Sequence, residues 1–175
     1  MISSTSRDQN APTAAPHVTG KYLTFYLGDE EYGLQILKVQ EIIGLLPITR
    51  VPRTPAFVSG VINLRGRVIP IIDLRRKFGM EVMEPGPRSC VIVVQSGGVH
   101  MGLLVDRVSD VADIPAADIA PPPPFGASVR TDFLLGIGKS GSRIRLLLDI
   151  DQVLSTDERS DVSALDAAAD RGATT

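Results

Sequence analysis

The chain has 175 residues, 43% hydrophobic and 22% charged, with a net charge of −2, so it is long enough for one domain or two small halves sharing a core, and its charge argues against a nucleic-acid partner. Its one cysteine, Cys90, excludes an internal disulfide and fits a reducing compartment. No apolar run approaches the ~20 residues of a membrane helix and the first residues are polar, so a cytoplasmic protein without direct membrane insertion is expected.

Residues 1–20 are rich in Ser, Thr, Ala, Pro and Asn, too poor in apolar surface to offset the entropy of ordering, and form an expected disordered tail. The following apolar runs are short, rich in Val and Ile and broken by Gly or Pro, which is a strand pattern. In chain order the expected strands begin with Tyr22–Leu27 and Glu31–Leu34, joined by a turn at Gly28. Ile36, Val39 and Ile43 share a helical face, so Ile36–Glu41 reads as a short helix feeding a strand. Gly60–Leu64 and Arg67–Ile72 meet at the Arg65-Gly66 corner, and Asp73 is placed to cap a short helix over Leu74–Phe78. Cys90–Gln95, His100–Val105 and Arg107–Ile114 follow, with Cys90 read as a small buried hydrophobe. Pro121–Pro124 is an extended spacer. Phe133–Gly138 and Arg143–Leu148 are the last strands, and Asp149 is placed to cap Ile150–Leu154. From 157 to 175 a flexible tail is expected, with a weak helical pattern over Ser163–Asp170.

Two spacing patterns recur in the same order. Gly33, Val39, Glu41 and Ile42 match Gly102, Val108, Asp110 and Val111; Phe57, Gly60, Val61 and Asp73 match Phe133, Gly136, Ile137 and Asp149. A corner glycine, Gly66 or Gly141, lies inside each copy of the second pattern. The chain therefore reads as two similar β-rich halves, about 20–85 and 88–155, each with too few strands for a two-faced sheet and each expected to curl into a small barrel. Phe57 and Phe133 are expected to be equivalent and buried.

No catalytic constellation emerges. His17 lies in the polar head, His100 alternates with apolar neighbours on an expected solvent face, and neither has a partner at metal-ligand spacing. Gly97-Gly98 is a hairpin turn without the Lys-Ser/Thr of a phosphate loop. Asp73 and Asp149 read as equivalent caps, and Asp106-Arg107 as solvated or capping charges. No catalytic residue, cofactor or metal is assigned.

Several blocks carry a resemblance. Gly28-Asp29-Glu30-Glu31-Tyr32-Gly33 with Ile36–Ile42, Pro55–Gly66 with its Asn63-Leu64-Arg65-Gly66 corner running on through Ile69–Arg75, Val105–Val111, and Pro123-Pro124-Phe125 all resemble the CheW family of chemotaxis adaptors. The resemblance covers about residues 21–156. It implies an all-β fold of two SH3-like five-stranded barrels packed around a shared core. It also implies a non-catalytic scaffold binding chemoreceptor cytoplasmic tips and the regulatory domain of the histidine kinase CheA. A coupling module of another chemosensory circuit, for surface motility or a second messenger, would use the same fold. By resemblance, Val39, Glu41, Ile42, Asn63, Arg65, Val108 and Val111 form the receptor-binding set. Core packing is the competing assignment for the valines and isoleucine, and no residue is assigned to the kinase contact. Glu41 and Arg65, both in apolar surroundings, are expected to pair beside the groove rather than stand as separate solvated charges.

Overall fold

The structure, a computed structural model, describes residues 20–122 and 133–173. The expected disordered head up to residue 19 and the Pro123-Pro124-Phe125 block lie outside the described residues. The strands are β1 (Gly20–Leu27), β2 (Glu30–Gln35), β3 (Val39–Gly44), β4 (Val58–Leu64), β5 (Arg67–Asp73), β6 (Cys90–Ser96), β7 (Val99–Val105), β8 (Arg107–Ile114), β9 (Ile119–Ala120), β10 (Leu134–Ser140) and β11 (Arg143–Leu148). Among the described residues two α-helices join them, α1 (Leu74–Lys77) and α2 (Thr156–Ala173).

Three local expectations are corrected. Ile36–Glu41 is not a helix: a 3-10 turn at Ile36–Lys38 gives way to β3. Val39 and Ile43 would share a face in a helix, but pairing with β6, with a bulge after Val39, turns them to opposite faces of a strand. Ile150–Leu154 is a turn, although Asp149 does cap it, its Oδ1 accepting from the Asp151 amide at 3.1 Å. The flexible tail expected from 157 is instead helix α2, with Val162 fully buried. Its start is a capping box: the Ser155 hydroxyl accepts from the Glu158 amide at 3.2 Å while the Glu158 carboxylate accepts from the Ser155 amide at 2.7 Å.

The strands form two sheets, ordered β8-β1-β2-β11-β10-β9 and β3-β6-β7-β5-β4. These are the two SH3-like β units. The repeat holds in the hydrogen-bonded registers. Val39–Val94 and Glu41–Val93, with a bulge between, match Val108–Phe25 and Asp110–Thr24 with theirs. The bulge between Val58 and Gly60 matches the one between Leu134 and Gly136. The Asp73 amide donates to the Phe57 carbonyl at 2.7 Å, and the Asp149 amide to the Phe133 carbonyl at 2.7 Å. Phe57 is buried; Phe133 is half-buried, its ring stacked on Phe78 at 5.1 Å.

The connectivity corrects the expected division at 20–85 and 88–155. Neither half closes on itself. The β1–β2 hairpin belongs to the sheet built by β8, β10 and β11, and the β6–β7 hairpin to the sheet built by β3, β4 and β5. The halves exchange hairpins through two parallel pairings, β2 on β11 and β7 on β5.

Alternation along the strands divides the core into three. Val91 and Val93 point into one unit with Ile62, Ile69 and Ile71, whereas Ile92 and Val94 face the other way, into a shared core with Leu23, Phe25, Leu34 and Leu103. The other unit's own core holds Tyr22, Ile114 and Leu147. Helix α2 caps the assembly through Val162, which joins the shared core.

Each exchanged hairpin crosses its parallel junction on a glycine: Gly33 opposite Leu147 and Gly102 opposite Ile71. A Cβ on Gly102 would stand 2.5 Å from Val91 Cγ1 and 2.7 Å from Ile71 Cδ1. Gly102→Ala is therefore expected to lower the unfolding free energy by about 2–3 kcal/mol, within the usual cost of overpacking. Gly44→Ala, whose Cβ meets nothing within 4 Å, should change it by less than about 0.5 kcal/mol. Urea denaturation of the two variants checks this, and equal losses would contradict it.

Candidate functional site

The corner between β4 and β5 is a two-residue hairpin loop, Leu64 pairing with Arg67. Both loop residues have positive φ, 53° at Arg65 and 87° at Gly66, as a type I′ turn requires. The Asn63 carboxamide oxygen holds the loop by accepting from the Gly66 amide at 2.8 Å. Arg65 is thereby presented from one edge of its sheet toward β3 at the other edge, where its guanidinium donates to the Glu41 carboxylate. Thr49 and Val61 bridge the same two margins, exchanging both backbone bonds at 2.9 Å. The ion pair expected from the sequence is formed. With Arg65 mostly exposed it adds only about 0–1 kcal/mol to stability, and its effect is to fix where two charges sit.

The other candidates fall on β3 and β8, which the repeat makes equivalent edge strands. Directly paired residues share a face of a sheet. Val39 is opposite Val94, Ile42 opposite Ile92, Val108 opposite Phe25 and Val111 opposite Leu23, and all four partners belong to the shared core. The bulge after Val39 puts Val39 and Ile42 on one face although they are three residues apart. Val39 and Val108 pack against the shared core, while Ile42 and Val111 are each 45% exposed. Glu41 is opposite Val93 and so faces its own unit's core side, away from Ile42. The seven candidates thus separate into an apolar quartet on the shared-core side of two edge strands and a polar trio, Glu41, Asn63 and Arg65, at the margin of one unit.

Sequence reasoning missed a second set of charges. Asp106 is not merely a solvated or capping group. Its carboxylate accepts from Arg75 at 2.9 and 2.6 Å and from the Gly28 amide at 2.6 Å, tying α1 to the β1–β2 turn of the other unit. The Arg75 guanidinium holds the Asp106 carboxyl below its usual range. Burial would raise Glu31, but the Arg145 guanidinium paired with it and the hydrogen bond from Arg143 outweigh it and hold this carboxyl low too.

His100 is half-covered rather than on an open face. Its Nδ1 lies 2.9 Å from Arg67, its backbone amide donates to Asp166 of α2 at 3.2 Å, and Arg67 donates to Asp166 at 3.1 Å. Lys77 anchors the start of α2 through Glu158 at 2.6 Å, and Arg159 donates to the Ser96 and Asp151 carbonyls at 3.2 and 2.6 Å. Cys90 is half-buried, and burial pushes its thiol up, away from reactivity. Among the described residues no group of three His, Cys, Asp or Glu side chains could hold a metal, and no helix is long and apolar enough to cross a membrane.

The family model described as CheW-like domain matches residues 21–158. The chain is 45% identical over 145 residues to Chemotaxis protein CheW of Klebsiella aerogenes, covering 83% of this chain and 87% of that protein. It is 39% identical over 149 residues to Chemotaxis protein CheW of Rhizobium meliloti, covering 83% and 96%. Among solved structures it is similar to the scaffolding protein TtCheW from Thermoanaerobacter tengcongensis, with a TM-score of 0.73 and 36% identity over 80% of this chain and 95% of that one.

The low-titrating carboxylates set the acid stability. Asp106, Glu31, Asp151 and Glu158 all have folded pKa values below their ordinary ones, so their contribution is complete above the unfolded carboxylate range, near pH 4, and is lost as pH falls through the lower folded values. Unfolding free energy should be level from pH 7 to about 5 and fall steeply below about 4. Asp106→Asn should remove about 1–2 kcal/mol at pH 7 and flatten part of the acid slope. Urea titrations at a series of pH values check both, and an unchanged slope in the variant would refute the assignment to Asp106.

Proposed function

The chain belongs to the CheW family and is a non-catalytic coupling adaptor of chemotaxis signalling, and on that footing we propose that it links the cytoplasmic tip of a chemoreceptor to the regulatory domain of the histidine kinase CheA. In this reading residues 21–156 are the coupling unit, working beside membrane-bound receptor arrays through protein contacts. The receptor tip, a helical hairpin, seats between the two units.

The observation that carries the reading is the placement of the apolar quartet. Val39 and Ile42 on β3, and Val108 and Val111 on β8, all lie on the shared-core side of equivalent edge strands. Ile42 and Val111 are the exposed members. An amphipathic helix docks by laying its apolar face on such side chains, with a few polar groups fixing its angle. Glu41 and Arg65, held by Asn63, suit the second of these roles. As a pair they contribute little to folding, yet they are pre-organised, so a partner meets them without a further ordering cost.

The test is a double-mutant cycle with Glu41→Gln and Arg65→Gln, read as affinity for a receptor-tip fragment. Each single variant is expected to weaken binding about five- to tenfold and to move the melting temperature by less than about 3 °C. The double variant should lose little more than either alone. Additive losses would mean that the two residues act separately and that the pair is not an anchor.

A further inference from the structure

The loop between β3 and β4 forms a cleft that contains none of the seven residues assigned to the receptor contact. Arg50, Val51, Arg53, Pro55, Val58 and Arg76 are among its walls, which enclose about 470 Å³. The cleft lies at the start of β4. Ser59, on its wall, is six residues along the strand direction from Arg65, roughly 20 Å at the rise of an extended chain, so it is separate from the Glu41–Arg65 margin.

The loop is rigidly built. Thr49 is bridged to Val61, the Thr54 hydroxyl donates to the Val51 carbonyl at 2.9 Å, and the Val58 amide donates to the Pro55 carbonyl at 2.9 Å. Arg53 stands between Pro52 and Thr54 at φ 64°, a left-handed conformation uncommon outside glycine. Such backbone persists where the surroundings over-determine it, and it gathers at functional sites. Arg50 and Arg53 are exposed and make no ion pair with any carboxylate among the described residues. Among the described residues the Arg76 guanidinium pairs with Asp73 alone, at 3.4 Å. Among the described residues no acidic residue lines this cleft, while Glu84 and Asp73 line the adjoining hollow, which shares Arg50 and Arg76 with it. In a chain of net charge −2, three guanidiniums around an apolar floor of valine and proline, bounded on one side by acid, are a directional feature.

We propose that this cleft is a second docking surface, which takes an acidic, extended segment of a protein partner, its carboxylates on Arg50 and Arg53 and an apolar side chain against Val51, Pro55 and Val58. Guanidiniums suit carboxylates because their fork matches two oxygens at once. The Arg76 end is the weaker anchor, since Asp73 already shares it.

The experiment titrates hexaglutamate peptide into the full-length, nitrogen-15-labelled chain and follows amide and arginine side-chain resonances. Saturable shifts confined to residues 50–59 and Arg76 are expected, diminishing with added salt. The Arg50→Gln/Arg53→Asn variant should weaken binding about tenfold; asparagine tolerates the positive φ, so an unchanged melting temperature separates lost charge from a lost loop. A serine–glycine hexapeptide should leave the spectrum unmoved. Shifts that fail to saturate, or that survive in the double variant, would overturn the proposal. So would tighter binding of phosphatidylserine vesicles or a single-stranded oligonucleotide at the same residues.

Discussion

Everything in this molecule depends on two hairpins lying in the wrong half. β1–β2 and β6–β7 each leave their own sequence repeat and complete the sheet of the other. Because each inserted strand runs parallel to its new neighbour, β2 beside β11 and β7 beside β5, no short turn could make the connection; the intervening chain has to cross between units. That crossing is why a single apolar layer, containing Phe25, Leu34, Ile92, Leu103 and Val162, serves both units. Neither half can keep its own sheet if the other unfolds, so the two are expected to melt as one cooperative body.

The exchange also explains the repeat's most constant feature. Gly33 and Gly102 are not turn residues; each lies in mid-strand at the parallel junction, where a side chain would meet Leu147 or Ile71 and Val91. Their spacing to the bulged edge strands follows, because the bulge on β3 or β8 begins as the chain turns back from the junction. Glycine, bulge and exposed aliphatic side chain are therefore steps of one path taken twice.

The two copies diverge where α2 docks. In one unit Glu31 on β2 is buried against Arg143 and Arg145 of β11, at 2.6 and 3.1 Å. In the other, His100 and Arg67 take the places of Glu31 and Arg143, and no strand carboxylate stands there. Asp166 of α2 supplies it, buried at 6% exposure. A buried carboxylate beside an arginine is tolerable only when fully paired, so the helix and the strand residues beneath it constrain one another. The same logic distinguishes Arg50 and Arg53, which have no such structural obligation.

Strand identity was legible in the sequence because short Val/Ile runs between glycines encode a period of two, and Asp73 was legible as a cap because that role is local, whereas the hold of Asn63 on the Gly66 amide came from the structure. The Glu41–Arg65 pair was legible too, from two charges in apolar blocks. Ile36–Glu41 misled because the bulge after Val39 breaks the strand's period of two and leaves a helical spacing, and α2 showed only as a weak pattern over Ser163–Asp170 because its capping box, Ser155 to Glu158, sits in a polar segment with few apolar residues to show a face. What the sequence by itself determined was the repeat, the β class and the absence of a catalytic motif. Only the tertiary structure decided which copy each hairpin joins, that Asp106 ties the units together, and that Val39, Ile42, Val108 and Val111 share one side of the edge strands. The reason is physical: two copies with the same alternation offer the same hydrogen-bonding edges, so pattern cannot distinguish a strand's own half from the other, and the choice falls to the shared core that only the exchanged arrangement buries.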